Sequence, residues 1–398
     1  MKLWLMVTAL AVVALAGPTW SELSAAEPGA TTTAAGVAAP TGTGAREAGA
    51  GLPPELKAEV TRAIDRALAF LEQKQGKDGS WEDYPAITAL VLKCFFDSPA
   101  RPRPADRPSL ARGLAYLEAK AHPDGSIYDK DLPVYNTALA VLALRAARNP
   151  DCEPLIGRAR DYLVSMQADE GKGVESADPS YGGFGYGGGS RPDLSNLSMA
   201  VDALRDAGLP EDSPVWQRVV TFVSRCQNNT STNDALGVGT LSHVAATDDG
   251  GLFYSPTESK AGDLQLPNGK LGYKSYGSMT YAGLKSFIYA HVSRDDPRVE
   301  AALGWIRTHY TLEENPQMGA EGLYYYYHTF AKALSAYGQE AVVDASGTSH
   351  AWRVDLAKKL LSLQRADGSW QNANPRWWES NPVLVTAYAV LALEACLE

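Results

Sequence analysis

Ile64, Ala67, Leu68 and Leu71 fall at the spacing of one helix face. This amphipathic run passes Gln75, enters a glycine-bearing turn, Asp78-Gly79-Ser80, and is closed by Trp81. A second, more uniformly apolar segment follows, with Thr88 near its start. One such unit cannot bury its apolar face alone, so its recurrence decides the architecture. It recurs five more times with decay. Tyr116-Leu117 precedes Asp124-Gly125-Ser126, Tyr162-Leu163 precedes Gln167 and Tyr181-Gly182-Gly183-Phe184, and Phe222-Val223 precedes Gln227 and Gly250-Gly251-Leu252. Trp305-Ile306 precedes Gly322-Leu323-Tyr324, and Leu360 precedes Gln364 and Asp367-Gly368-Ser369-Trp370. A hydroxyl marks the start of every second segment: Thr88, Thr137, Ser198, Thr280, Thr329 and Thr386. The pattern predicts six helix pairs and an all-α chain. Outer helices are expected near 55–75, 109–121, 154–167, 214–227, 296–310 and 351–365. Inner ones are expected near 84–97, 134–148, 194–207, 276–291, 325–337 and 382–397, and no stretch alternates like a strand over any length. The connections 168–193 and 228–275 are long for a compact repeat fold, which marks them as candidate functional segments.

Residues 1–26 read as a signal peptide: Lys2, the apolar run Leu3 to Ala16, then small residues through Ala26. That run is too short to span a bilayer, so the mature chain is expected to be exported without a transmembrane helix. Residues 27–52 are Ala, Gly, Thr and Pro with almost no large apolar side chain, and are expected to be a disordered lead. Residues 53–398 are long enough for one domain with a substantial core. A net charge of −10 argues against nucleic acid or an anionic membrane surface as partner. Cys94, Cys152, Cys226 and Cys396 lie far apart without a CxxC spacing, and buried free thiols are the expectation.

The order basic residue, aromatic-aliphatic pair, Gln, Gly, Trp in Arg66 to Trp81 resembles the QW repeat of squalene-hopene and oxidosqualene cyclases, and Leu360 to Trp370 is similar over its second half. The glycine turns and Tyr327-His328-Thr329 resemble the beta subunits of protein prenyltransferases. The resemblance covers essentially all of 55–398 and implies an α6/α6 toroid, six inner helices inside six outer ones around a central cavity. It also implies a superfamily that handles isoprenoids, although a fold does not fix an activity.

The catalytic sets of those families are absent from their expected places. In the cyclases the acid stands two residues before the inner-helix hydroxyl, where this chain has Ala86, Tyr135, Asn196, Ser278, Tyr327 and Leu384. The amide of Asn196 cannot act as a general acid. The prenyltransferase zinc set of Asp, Cys and His falls on Ser278, Thr280 and His328, and neutral hydroxyls are poor zinc ligands. No metal or other cofactor is therefore expected, and no catalytic residue is assigned.

Candidate ligand-binding residues remain. Tyr324, Tyr325, Tyr326, Tyr327 and His328 crowd the start of the fifth inner helix, two or three of them facing the cavity mouth, with satisfied core groups as the alternative. Tyr181, Phe184 and Tyr186 lie in a glycine-rich run where the backbone can approach a ligand closely. Arg191 pointing inward would suit an anion, whereas Asp193 and Ser195 read as helix-capping residues beside Asn196. Ser278 marks the zinc-like position, and Trp377-Trp378 forms either a carbohydrate platform or a ring closure. Asp248, Asp249, Asp263 and Glu321 in turns offer the rival chemistry of a saccharide-cleaving toroid. The expectation is a binder of an apolar, isoprenoid-like ligand or of an envelope partner protein, with a divergent enzyme as the alternative.

Overall fold

The computed structural model describes residues 51–187 and 189–398. The expected signal peptide and nearly all of the expected lead lie outside them. Twelve α-helices alternate among the described residues. The outer ones are α1 (Pro54–Gln73), α3 (Pro108–Ala119), α5 (Glu153–Ser165), α7 (Pro214–Arg225), α9 (Pro297–Thr308) and α11 (Trp352–Leu363). The inner ones are α2 (Pro85–Asp97), α4 (Pro133–Ala146), α6 (Leu194–Asp206), α8 (Gly277–Tyr289), α10 (Leu323–Tyr337) and α12 (Pro382–Leu397). Each inner helix packs on the next, and α12 packs back on α2, so the inner set closes into a ring. Outside it, α11 touches α1 and completes the circuit. The architecture is an α6/α6 toroid, as the repeats predict.

Each recurring residue has a definite task. The Gln side chain ties its own glycine turn to the following outer helix. Gln75 Nε2 donates to Gly79 O (2.9 Å) and Ser109 O (2.7 Å), and Gln227 Nε2 to Gly250 O (2.9 Å) and Arg298 O (2.8 Å). Gln364 repeats the bond across the closure, donating to Gly368 O (3.0 Å) and to Ala63 O of α1 (2.9 Å). The turn glycine must be glycine. At Gly182 φ is +84° and an added Cβ would lie 2.0 Å from Arg218 O of α7. Turn aspartates such as Asp78 and Asp367 accept the Ser N–H and O–H two residues on. The indoles of Trp81 and Trp370 donate back to Leu71 O and Leu360 O, 2.7 and 2.8 Å away. The inner-helix hydroxyls are anchors too: Thr88, Thr137, Thr280 and Thr386 accept the backbone N–H of Trp81, Ile127, Leu252 and Trp370.

Two small features were not expected. The 228–275 connection carries an antiparallel hairpin of β1 (Asp263–Gln265) and β2 (Leu271–Tyr273), and a shorter one pairs β3 (Val342–Val343) with β4 (Ser349–His350). The strands are too short to announce themselves by alternation. The first packs on a cluster of its own, Leu241, Val244, Phe253 and Tyr273. All four cysteines are free and buried.

Candidate ligand-binding site

The inner helices all begin at one end of the ring, where the following repeat holds the starts of five of them and Asn381 caps the sixth, α12, from its own chain. Ala86 N donates to Asn136 Oδ1 (2.8 Å), Val134 N to Tyr186 O (3.2 Å) and Leu194 N to Tyr254 O (2.8 Å). Gly277 N donates to Pro316 O, and Ser278 N to Asn315 Oδ1 (both 3.0 Å). Tyr325 N and Tyr324 N donate to the Glu379 carboxylate, at 2.8 and 3.2 Å. Free helix amides must find acceptors, and here a neighbour supplies them. Burial raises the Glu379 pKa, against the opposing bonds from Asn372 and the α10 amides.

Tyrosines collect at this end. Tyr135, Tyr186, Tyr254 and Tyr325 are each only partly covered, and Tyr388 is buried beside them. The Tyr135 and Tyr388 hydroxyls are 3.4 Å apart, Tyr325 meets Tyr388 edge-on at 5.8 Å, and Tyr135 lies 6.4 Å from Tyr186. The Tyr325 hydroxyl is buried without a partner. His328 stacks on Tyr388 at 5.7 Å, and its Nδ1 has no partner either. Burial, with Lys332 and Lys285 nearby, pushes the His328 imidazole down to about 3, so it is neutral at physiological pH.

A carboxyl stands against this cluster. Asp193 is 2% exposed; its Oδ1 accepts Ser195 N, Ser195 Oγ and Asn196 N, and its Oδ2 accepts Asn196 Nδ2 at 2.7 Å. Burial raises its pKa against those bonds. Burial and then the Asp193 charge raise the pKa values of Tyr186 and Tyr254. Asp193 is thus a helix cap, as the sequence implies, but also a buried acid among the tyrosines, which the sequence reading did not foresee. Its neighbours donate to the carboxylate form, but burial outweighs them and favours the protonated acid.

Further along the inner helices lies a charged layer. Lys285 Nζ of α8 is 2.6 Å from Asp202 Oδ1 of α6, both side chains 2% exposed, and it also donates to Ser198 O at 3.3 Å. Burial works against the Asp202 charge, but Lys285 and Lys332 outweigh it and hold the carboxyl below its usual range. Lys332 of α10 stands nearby, partly covered.

The structure divides the candidates from the sequence. Tyr186 and Asn196 lie beside Asp193, and His328 lies on Tyr388. Tyr181 faces the outer helices, bonding to Glu170 Oε1 at 2.9 Å and near Arg218. Phe184 is fully buried core. Arg191 is exposed, so the inward anion-binding role does not hold for it. Ser278 is committed to Asn315, its Oγ accepting from Asn315 Nδ2 at 3.3 Å, and Thr280 to Leu252 N, so the zinc-like positions serve the helix start. Tyr326 and Tyr327 point outward into the wall, where their hydroxyls donate to Thr311 O (2.6 Å) and Leu312 O (2.7 Å). Trp378 meets Tyr84 edge-on at 6.3 Å, and Trp377 covers Gly322 under Arg376. Trp378 thus joins the sixth repeat to the first, while Trp377 packs on the start of the fifth inner helix. The turn carboxylates do not converge: Asp248 binds Thr230, Asp249 binds Gly251 and Ser275, Glu321 pairs with Arg376, and Asp263 is exposed. The sequence reading missed Tyr254, Tyr388, Asp202, Lys285 and Lys332. Lone charges inside otherwise apolar inner helices were the available signal for the last three.

The squalene-hopene cyclase C-terminal domain family matches residues 82–239. Squalene-hopene cyclase of Alicyclobacillus acidocaldarius is 29% identical over 157 residues, 37% of this chain and 24% of that enzyme. The Bradyrhizobium diazoefficiens squalene-hopene cyclase is 29% identical over 192 residues, 42% of this chain and 29% of the enzyme. The chain thus aligns with less than a third of these relatives' length. Among solved structures, a variant of the type II terpene cyclase MstE from Scytonema, in complex with geranylgeranyl dihydroxybenzoate, superposes with a TM-score of 0.50 at 16% identity, covering 86% of this chain and 99% of that one. A protein from Actinoplanes gives 0.50 at 18% identity, covering 85% and 99%. The repeats, the closed ring and these matches make the chain similar to squalene-hopene cyclases over residues 82–239 and give it the α/α toroid fold of the terpene cyclases.

Proposed function

We propose that the toroid binds an apolar, isoprenoid-like molecule in its centre without the acid or zinc chemistry of its relatives. The partly uncovered tyrosines carry this reading: Tyr135, Tyr186, Tyr254 and Tyr325 stand on the inner side of the ring, and the Tyr325 hydroxyl has no partner. Amphipathic rings suit an apolar chain bearing an occasional polar group. The squalene-hopene cyclase relatives and the geranylgeranyl compound held by MstE support an isoprenoid class. The Gln, Gly and Trp bonding supports reading the units as QW repeats. The basic, apolar and small-residue order of residues 1–26 supports export to the cell envelope, where a partner protein is the further candidate. Native mass spectrometry of protein purified from its own envelope tests the binding. A retained isoprenoid lipid, lost on replacing both Tyr325 and Tyr388 by Ala, is the expected result; an empty ring that takes up no prenyl chain refutes it.

Asp193 favours a second reading, a divergent enzyme, since burial biases its carboxyl toward the protonated form beside the tyrosines. Turnover of squalene or geranylgeranyl diphosphate that disappears in Asp193→Asn would establish it.

A further inference from the structure

The charged layer inside the ring has an unequal count. Lys93, Asp202, Lys285 and Lys332 stand three to five residues beyond the landmark hydroxyls Thr88, Ser198, Thr280 and Thr329, so four inner helices deliver them to one depth. Lys93 is paired with Asp97, Lys285 with Asp202, and Arg205 at the outer edge with Asp206. Among the described residues Lys332 has neither a hydrogen bond nor an ion pair, and it lies near enough to Tyr289 and Asp202 to feel their charge. Two buried polar atoms of the layer are also without partners, Ser198 Oγ beside Lys285 and His328 Nδ1 beside Lys332. One cation is left over, with two further groups able to donate. Beyond them lie the rings of Tyr388 and Tyr325.

We propose that this layer holds the monoanionic head of an otherwise apolar ligand, a carboxylate, with Lys332 as its counter-ion and the chain running toward the tyrosines. The inference rests on the isoprenoid-like reading of the ring centre and adds the head group and its orientation. A single unmatched positive charge suits one carboxylate. It does not suit a diphosphate, whose additional charges would stand beside Asp202 without counter-ions.

Fluorescence titration of the full chain with geranylgeranoic acid, geranylgeraniol and geranylgeranyl diphosphate tests it. The acid is expected to bind roughly tenfold tighter than the alcohol, the worth of one charge-assisted contact. Lys332→Met removes that preference and leaves the alcohol's affinity unchanged, while Lys332→Arg keeps it. Equal binding of acid and alcohol overturns the inference and leaves the isoprenoid reading intact. Diphosphate binding tighter than the acid, or Lys332→Met weakening acid and alcohol alike, overturns it as well. If neither acid nor alcohol binds, both readings fall together.

Discussion

Glu394 of α12 is a buried acid with nothing to bond. It is 6% exposed, and both carboxyl oxygens are covered and without partners. Burial raises its pKa well above the carboxylate range; Asp97 of α2 and Glu398 add to this, and Lys93 opposes them. Lys93 is itself spent on Asp97. Glu394→Met keeps the volume and removes the unsatisfied group, for which about 2 kcal/mol of stabilisation is reasonable. With unfolding entropy of ~2.1 cal/mol/K per residue over about 350 residues, that is a rise in Tm of roughly 3 °C. The gain depends on pH. A carboxyl whose folded pKa exceeds its unfolded value binds more protons when folded. Wild-type stability is therefore full below about pH 4.3 and declines as pH rises toward the folded pKa. The variant has no such decline, so its advantage widens from pH 4.5 to pH 8. Thermal melts and urea titrations of both proteins at pH 4.5, 6 and 8 measure this. A Met variant that melts below wild type at pH 8, or an advantage independent of pH, refutes the reasoning.

Other perturbations have equally definite outcomes. Gln364→Leu strips the donor shared by Ala63 O and Gly368 O, and should lower stability by about 2 kcal/mol in urea titration, whereas loss of its exposed contact with Arg66 through Arg66→Ala costs less than about 1 kcal/mol. Gly182→Ala places a Cβ against Arg218 O at positive φ and should cost more than about 3 kcal/mol, read as loss of folded yield; Gly157→Ala, with open space in α5, should raise Tm through about 1 kcal/mol of helix propensity. Asn196→Asp sets a second carboxyl against Asp193 Oδ2 and should cost roughly 3 kcal/mol at pH 7, recovered on acidification because the shared proton raises the folded pKa. Lys285→Met leaves Asp202 buried and unpaired, at about 3–5 kcal/mol, and most of that loss should return in the double variant with Asp202→Leu, as chemical denaturation of the pair would show.

The helices were legible because periodicity and glycine punctuation repeat, and their ends fall within three residues of the expected ones. The recurring hydroxyl was visible as a landmark, but its task was not. Thr88 and Thr386 accept a backbone N–H from a residue at the turn, a relation that only the folded turn reveals. Tyr325, Tyr326 and Tyr327 are alike in sequence, and successive residues on a helix are turned by about 100°, so one faces the ring and two the wall. An inward Arg191 was conceivable only because its loop had no predictable course. Asp193 was recognised as a cap, and its burial depends on Tyr186 and Tyr254 from two separate connections.

The borrowed helix caps have an evolutionary corollary. Asn136, Asn315 and Glu379 each serve the helix pair before their own, so excising one pair would strip acceptors from its predecessor and strand that helix's buried amides. An open solenoid can lose a unit and keep its ends. This circle has no ends to reseal, and a change in the number of pairs would have to rebuild a lending contact at the new junction in the same step.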